Sequence, residues 1–247
     1  MNSQSSTMAV RTKILTLTIA ALSASPISAA PVTFIPVGLN PGDTYHLVFV
    51  TSMSRNATSV NINDYDMFVQ GAADAAGIGT GSPIGNINWR VIGSTSTVDA
   101  IAHTTIQGGA YRLDGVKIAS GEQDFWDGII DAAITVNEFG VIGHIDPMVD
   151  ANSVIGPRVF VGTTLSGGKS TGHELGSLNG VSVSRLFSTI GPGECVFWGD
   201  DLGPKTNSFY AISETLTVVP EPATLPLLLL ALVGTRISKV KLCHRNQ

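Results

Sequence analysis

Two acidic clusters are the parts of this sequence best suited to chemistry. They consist of Asp124, Asp127 and Asp131 in one segment, and of Asp200 and Asp201 in another. Calcium takes several hard oxygen ligands in a flexible loop, so either cluster could bind that ion. Neither cluster has the spacing of an EF-hand or of a nonapeptide repeat. Calcium binding therefore stays one of several interpretations.

The first cluster has two other interpretations. Asp127-Gly128 is typical of a turn, which would place Trp126 in the core and let the aspartates accept hydrogen bonds from loop amides. Asp124 and Asp127 could also form a carboxylate pair for glycoside hydrolysis, although nothing in the sequence fixes their geometry. The turn is the simplest of the three, and we assign no metal, catalytic or cofactor-binding residue here.

The sequence lacks the common catalytic motifs: it has no G-x-S-x-G, Walker loop, C-x-x-C or H-E-x-x-H. The domain's histidines have no metal-ligand spacing and are interpreted as ordinary strand or loop residues. These are His46, His103, His144 and His173. Cys195, beside an apolar run, is interpreted as a buried thiol, and Cys243 as an unsuitable partner for it. We therefore expect a non-enzymatic protein.

The positive charge of the chain is concentrated near its ends. The basic residues outside 30–219 are Arg11, Lys13, Arg236, Lys239, Lys241 and Arg245. The segment 30–219 is consequently more acidic than the net charge of −5 for all 247 residues indicates. An acidic surface disfavours nucleic acid, whose phosphates are bound by cationic groups.

The central segment has the patterns of a mixed α+β domain with long irregular loops. The predicted elements are strands at 45–51, 89–92, 159–161 and 209–219, a helix from a cap at Asn63 or Asp64 to Ala76, and a hairpin at 111–118. In the hairpin, Asp114-Gly115 predicts a two-residue turn. The length of the central segment suits a single domain, which we place at 30–218.

The N-terminal segment 1–29 has the organisation of a secretory signal peptide. Arg11 and Lys13 precede the apolar run 14–22, and small residues follow up to Ala29 and Ala30. The apolar run is too short to cross a bilayer core of about 30 Å as a helix. The expectation is a signal helix cleaved between Ala29 and Ala30, since a cut one residue later would place Pro31 directly after the cleaved bond.

The C-terminal segment 219–247 holds an extended motif, an apolar run and basic residues. The motif consists of Val219, Pro220, Glu221, Pro222, Ala223 and Thr224. This tail resembles the PEP-CTERM sorting signal of exopolysaccharide-producing bacteria. The resemblance implies recognition by an exosortase, a membrane enzyme of the transpeptidase type. The apolar run, interrupted by Pro226, is shorter than the ~20 residues of a full span, which favours a short hydrophobic helix as a transient inner-membrane anchor.

The order of motifs in the domain carries a second resemblance. The domain runs through Y-x-L-V-F-V-T-S, D-Y-x-x-F-V, Y-R-L-D-G-x-K-I-A, D-x-W-D-G-x-I-D-A, V-F-V-G-T and F-Y-A-I-S-E-x-L-T-V. This order resembles PEP-CTERM proteins of planctomycete type and the endostatin-like branch of the C-type lectin-like fold. The resemblance implies a C-type lectin-like domain whose first and last strands pair antiparallel. The paired cysteines common in that fold are absent from this sequence.

Together these features indicate an exported cell-surface or extracellular-matrix protein that an exosortase processes. We expect its domain to bind an exopolysaccharide or a matrix protein. The alternative is a secreted hydrolase acting on extracellular polysaccharide. A hydrolase needs a concave pocket that brings a nucleophile or an acid close to a base, whereas a binding module needs only a shallow polar surface. The ligand and the oligomeric state stay open.

Overall fold

The computed structural model describes residues 32–142, 158–185 and 206–220. Several predicted features lie outside these ranges. They are the signal segment with Ala29 and Ala30, the second acidic cluster at Asp200 and Asp201, Cys195 and Cys243, His144, and the tail from Glu221 through Pro222, Ala223 and Thr224. None of the helices in the described ranges is long and apolar enough to cross a membrane.

The described part of the chain is a sheet-dominated α+β structure with short helices. Its strands are β1 (Thr44–Val50), β2 (Trp89–Val91), β3 (Gly109–Arg112), β4 (Lys117–Ala119), β5 (Arg158–Phe160), β6 (Val183–Arg185), β7 (Ser208–Ser213) and β8 (Leu216–Thr217). Its helices are α1 (Ile62–Ala75), α2 (Ala100–His103) and α3 (Glu122–Phe125). The predicted α+β class is therefore confirmed.

The strands form one mixed, curled sheet. Its order is β4-β3-β1-β7-β5-β6, with β2 also paired to β7 and β8 to β1. β1 and β7 are antiparallel, with Val48 opposite Ile212, whereas β1 pairs with β3 in parallel. The expected antiparallel pairing of the first and last strands is therefore confirmed.

Both faces of the central strands are buried. Successive side chains of a strand point to opposite faces. Leu47 and Phe49 of β1 accordingly join one apolar cluster, together with Tyr65 and Val69 of α1. Val48 lies in a second cluster, which also contains Trp126 and Ile212. The sheet thus divides the core in two, with α1 covering one face.

Helix α1 begins earlier than predicted. Its N-cap is Asn61, whose extended backbone has φ −97° and whose side chain accepts a hydrogen bond from the amide of Asn63. The predicted caps were wrong because Asp64 already lies in the first turn, where a negative charge is favourable. The predicted end is correct, since Ala76 is the C-cap.

The hairpin of β3 and β4 lies where the sequence predicts it, but its turn differs. The amide of Arg112 donates to the carbonyl of Val116 over 2.8 Å, and that of Gly115 donates to the carbonyl of Arg112 over 2.9 Å. Three residues therefore lie between the closing pair, and Gly115 has φ +85°. This is the three-residue loop that ends in a left-handed glycine. The predicted two-residue turn was wrong.

The last strand is divided, whereas the sequence predicted one continuous strand. The amide of Leu47 donates to Ser213 Oγ over 2.9 Å. In a regular antiparallel pair this amide would instead donate to a backbone carbonyl of the neighbouring strand. The amide of Glu214 donates to the carbonyl of Asn88 over 2.8 Å instead of pairing with β1. These two bonds separate β7 from β8.

Candidate functional site

A concave polar site of about 190 Å³ lies beside β1, β2 and β7; we call it the polar cleft. Its lining includes His46, Arg90, His103, Gln107, Glu214 and Thr215. β1 provides His46, β2 provides Arg90, and α2 ends at His103. Residues far apart in the chain therefore meet here because the sheet places their strands side by side.

His46 is a buried cross-link at the base of the cleft. Its Nδ1 lies 2.9 Å from the carbonyl of Ser213, and its Nε2 lies 2.9 Å from the amide of Gln107. A carbonyl only accepts and an amide N–H only donates, so Nδ1 carries the proton and Nε2 accepts. Burial lowers the pKa of His46, which favours this neutral form, although the hydrogen bond to the Ser213 carbonyl opposes the shift.

Asp66 and His103 form an oriented pair at one side of the cleft. Asp66 Oδ1 accepts a hydrogen bond of 2.8 Å from the amide of Val91, and Asp66 Oδ2 lies 2.9 Å from His103 Nε2. The Val91 amide thus fixes the orientation of the Asp66 carboxylate, and the carboxylate fixes the orientation of the His103 imidazole. Among the described residues His103 Nδ1 has no hydrogen-bond partner.

Arg90 supplies the positive charge of the cleft. It is the exposed residue of β2, between the buried Trp89 and Val91. Its Nη1 donates to the carbonyl of His103 over 2.8 Å. Within the described ranges no carboxylate forms a salt bridge with it. The remaining guanidinium N–H groups are therefore available to a ligand.

The other polar groups around the cleft are engaged with their neighbours. Glu214 accepts hydrogen bonds from the amide of Asn88 over 3.1 Å and from its side chain over 2.8 Å. The Thr104 hydroxyl donates to the carbonyl of Ala100 over 2.8 Å. In the part of the chain that the structure describes, no Ser, Thr or Cys side chain is hydrogen-bonded to His103. Among the described groups, the cleft therefore offers a ligand chiefly the open N–H groups of Arg90 and the Nδ1 atom of His103.

The first acidic cluster lies in a separate, shallow depression of about 340 Å³, lined by Gly121, Gln123, Asp124 and Asp127. Asp124 Oδ2 accepts from the amide of Ser120 over 2.6 Å, and Asp127 Oδ1 accepts from the amide of Ile129 over 3.0 Å. The prediction that these side chains cap loop amides is confirmed.

The remaining predictions for this segment concern Asp131, calcium and Trp126. Asp131 Oδ2 lies 3.7 Å from Lys117 Nζ. Among residues 32–142, 158–185 and 206–220, no group of three or more acidic, His or Cys residues is placed to hold a metal ion. Trp126 is buried, with 6% of its surface exposed, as the turn interpretation predicts.

The first residues of the predicted sorting motif leave the fold at its surface. β8 is held to β1, and the amide of Val218 donates to the carbonyl of Asp43 over 3.0 Å. Immediately afterwards Val219 is 75% exposed, and Pro220 is also exposed. Within the described part of the chain, the motif therefore starts directly after Val218, whose backbone is still bonded to the domain.

Sequence reasoning missed the polar cleft. It treated His46 and His103 as ordinary residues and did not single out Asp66, Arg90 or Glu214. One signal was present: Arg90 is a charged residue between two apolar strand residues, so it must point away from their side of the sheet. The sequence around Asp66, His103 and Glu214 gave no comparable indication that these residues meet Arg90.

The chain matches none of the models of known protein families. It also has no significant match among curated proteins.

Proposed function

We propose that this chain is an exported protein of the cell envelope or extracellular matrix, sorted through its C-terminal tail, whose domain binds a matrix glycan or protein without catalysis. The polar cleft carries the binding proposal, because it combines the open N–H groups of Arg90 with the oriented His103 in a concave surface. A site with convergent polar groups is the usual place for a ligand.

The surface position of Val219 and Pro220 supports the sorting proposal. An enzyme that cuts or transfers a chain must reach an extended segment, and prolines favour extended backbone. Val219 and Pro220, the two motif residues that the structure describes, are exposed directly after the buried Val218, which leaves room there for an enzyme. The basic residues after the apolar run suit retention on the cytoplasmic side.

A C-type lectin-like arrangement is the finer fold proposal. The antiparallel pairing of β1 with β7 and the long irregular connections support it. In this arrangement the domain holds its two ends together at one side of the sheet and leaves its loops for contacts with a ligand.

A secreted hydrolase of extracellular polysaccharide is the second candidate. The Asp66–His103 pair favours it, because a carboxylate that orients an imidazole beside a cavity is a common general-base arrangement. The two candidates differ in what they do to a bound polymer: a hydrolase shortens it and a binding module leaves its length unchanged.

One experiment on the producing cells tests sorting. Glu221→Ala removes the central carboxylate of the motif and should leave an unprocessed, membrane-retained form. Asp131→Asn is the control, since it removes an exposed carboxylate near α3. Fractionation that shows the same size and location for Glu221→Ala and the parent would contradict recognition of the motif.

A second experiment tests binding. The full-length protein is incubated with exopolysaccharide from the producing cells, and both the bound polymer and its length distribution are measured. Retention of polymer at unchanged length supports the binding module. Shortening that is lost in His103→Asn would replace it with the hydrolase, and no retention with no shortening would reject both.

A further inference from the structure

Arg90 differs in its surroundings from three other described basic side chains, which are Arg112, Lys117 and Arg55. Arg112 is paired with Asp114 at 2.6 Å, and Lys117 lies 3.7 Å from Asp131. Arg55 lies over the ring of Tyr65 at 4.8 Å. Arg90 instead has a single bond to a backbone carbonyl and lines a cavity.

The backbone holds Arg90 in this position. Arg90 lies opposite Ile212 in the antiparallel pair of β2 and β7. Its bond to His103 connects it to α2, and His103 is fixed in turn by Asp66. A guanidinium on a rigid strand, with N–H groups still free, is well suited to a carboxylate because the two planar groups match.

The negative groups near Arg90 are already engaged. Glu214 receives two hydrogen bonds from Asn88, and Asp66 receives bonds from Val91 and His103. Each is therefore partly compensated and does not pair with Arg90. The surrounding acidity disfavours a second carboxylate inside the cleft, so the cleft suits one carboxylate of a ligand, with the other units of the ligand in solvent.

The size of the cleft restricts the ligand further. Its volume of about 190 Å³ lies below the range of roughly 300–1,000 Å³ that is usual for drug-sized ligands. A single sugar ring of a longer polymer is a suitable occupant, with the neighbouring units in solvent. Thr215 and Gln107 also line the cleft, and both are residue types that can form hydrogen bonds with sugar hydroxyl groups.

We infer that the polar cleft binds one uronic acid residue of an acidic saccharide, with Arg90 as the partner of its carboxylate. This inference rests on the proposed binding role and names the chemical class of its ligand. It makes Arg90 a specificity-determining residue, which selects acidic over neutral saccharides.

Calorimetric titration of the full-length protein tests this inference. The probes are trigalacturonate, the neutral trisaccharide maltotriose of equal length, and acetate as a carboxylate without a sugar. Trigalacturonate should bind at least about tenfold more tightly than either, as expected for a charge-assisted hydrogen bond combined with sugar contacts. Added salt should weaken this binding.

Three variants identify the residue responsible. Arg90→Gln should reduce affinity for trigalacturonate to the level of maltotriose, and Arg90→Lys should give an intermediate value. Lys117→Gln removes an equal charge from β4, outside the cleft, and should bind like the parent. A melting curve for each variant verifies that it is folded.

The possible outcomes separate this inference from the proposed function. Equal binding of both trisaccharides, unchanged in Arg90→Gln, overturns the uronate site and leaves a glycan-binding role. Acetate that binds as tightly as trigalacturonate also overturns it, because the cleft would then recognise any carboxylate. Absence of binding to all three probes, with exopolysaccharide still retained, overturns the uronate site alone. If the protein neither binds any of the three probes nor retains exopolysaccharide, the glycan-binding role is overturned as well.

Discussion

His46 Nδ1 and the carbonyl oxygen of Ser213 lie 2.9 Å apart, although 167 positions of the chain separate the two residues. The opposite ring nitrogen, Nε2, accepts from the amide of Gln107. One neutral imidazole thus joins β1, the end of β7 and the segment before β3. A proton on Nε2 would remove the acceptor that the Gln107 amide uses.

The stability of the domain should therefore depend on pH through His46. Burial holds its pKa in the folded state below the ordinary 6.5. As pH falls through the unfolded pKa, the unfolded chain takes up a proton that the folded state does not, so the free energy of unfolding decreases towards the folded pKa. Above the unfolded pKa both states are neutral and the contribution is complete.

His46→Gln removes this titrating group and tests the assignment. Urea unfolding at about pH 7.5 and about pH 5 should show a smaller decrease on acidification in the variant than in the parent. The variant should also be less stable at the higher pH, because glutamine cannot reproduce both hydrogen bonds of the ring. An equal decrease in the two proteins would exclude His46 as the source of the pH dependence.

Trp126→Ala should destabilise the domain by about 3–5 kcal/mol, because it leaves a large cavity. The indole is buried and contacts the Phe125 ring edge to face, with centroids 5.0 Å apart. For a domain of this size the melting temperature should fall by roughly 6–20 °C. An unchanged midpoint with loss of ligand binding would instead make Trp126 an exposed ligand platform.

Trp126→Phe is the matched variant. Trp126 Nε1 is buried without a hydrogen-bond partner among the described residues, so replacing the indole by a phenyl ring loses no bond and removes a buried donor. The phenyl variant should therefore keep most of the stability that the alanine variant loses. Equal losses in the two variants would show that the indole itself is required.

Gly162→Ala should be more costly than Gly77→Ala. Both glycines have positive φ, +61° for Gly162 and +72° for Gly77. An alanine with this left-handed backbone should lower the free energy of unfolding by about 1–2 kcal/mol at either position. A Cβ at Gly77 meets nothing within 4 Å. A Cβ at Gly162 would press on the Leu175 amide nitrogen and lie 2.7 Å from the carbonyl oxygen of Ser94. Chemical denaturation measures the difference, and equal costs would contradict this close backbone approach.

The N-terminal segment gives a prediction outside the described residues. Arg11 and Lys13, the apolar run 14–22 and the small residues up to Ala30 predict removal of the signal segment between Ala29 and Ala30. N-terminal sequencing of protein recovered from the envelope should begin at Ala30. Recovery of an intact Met1 or Met8 terminus there would contradict a cleavable signal.

Features that depend on neighbouring residues could be predicted from the sequence. The alternation around Leu47 identifies β1, Asp114-Gly115 locates the hairpin, and the segment around Trp126 predicts a buried indole with capping aspartates nearby. Each of these rests on a local rule about side-chain direction or backbone angles.

Features that depend on distant partners could not be predicted. The break after Ser213 arises because its hydroxyl accepts from Leu47, and the polar cleft arises because β2 and β7 place Arg90 beside Glu214. Periodicity tells which side of a strand is buried but not which strand lies next to it. The end of α1 was predicted correctly because a glycine follows it, whereas its start depended on a choice among several capping residues.

The position of β7 between β1 and β5 affects how the chain can fold. β1 acquires its antiparallel neighbour only when residues 208–213 are present, so the centre of the sheet closes through contacts between opposite ends of the domain. Contacts of such long sequence separation make folding slow, because a large loop must close before they form. A polypeptide that is synthesised from its N-terminus can therefore pair β1 with β3 early, but the other edge of β1 stays unpaired until nearly the whole domain has been made. Late closure of this kind suits the export that we propose, because a chain must be unfolded to pass through a narrow pore.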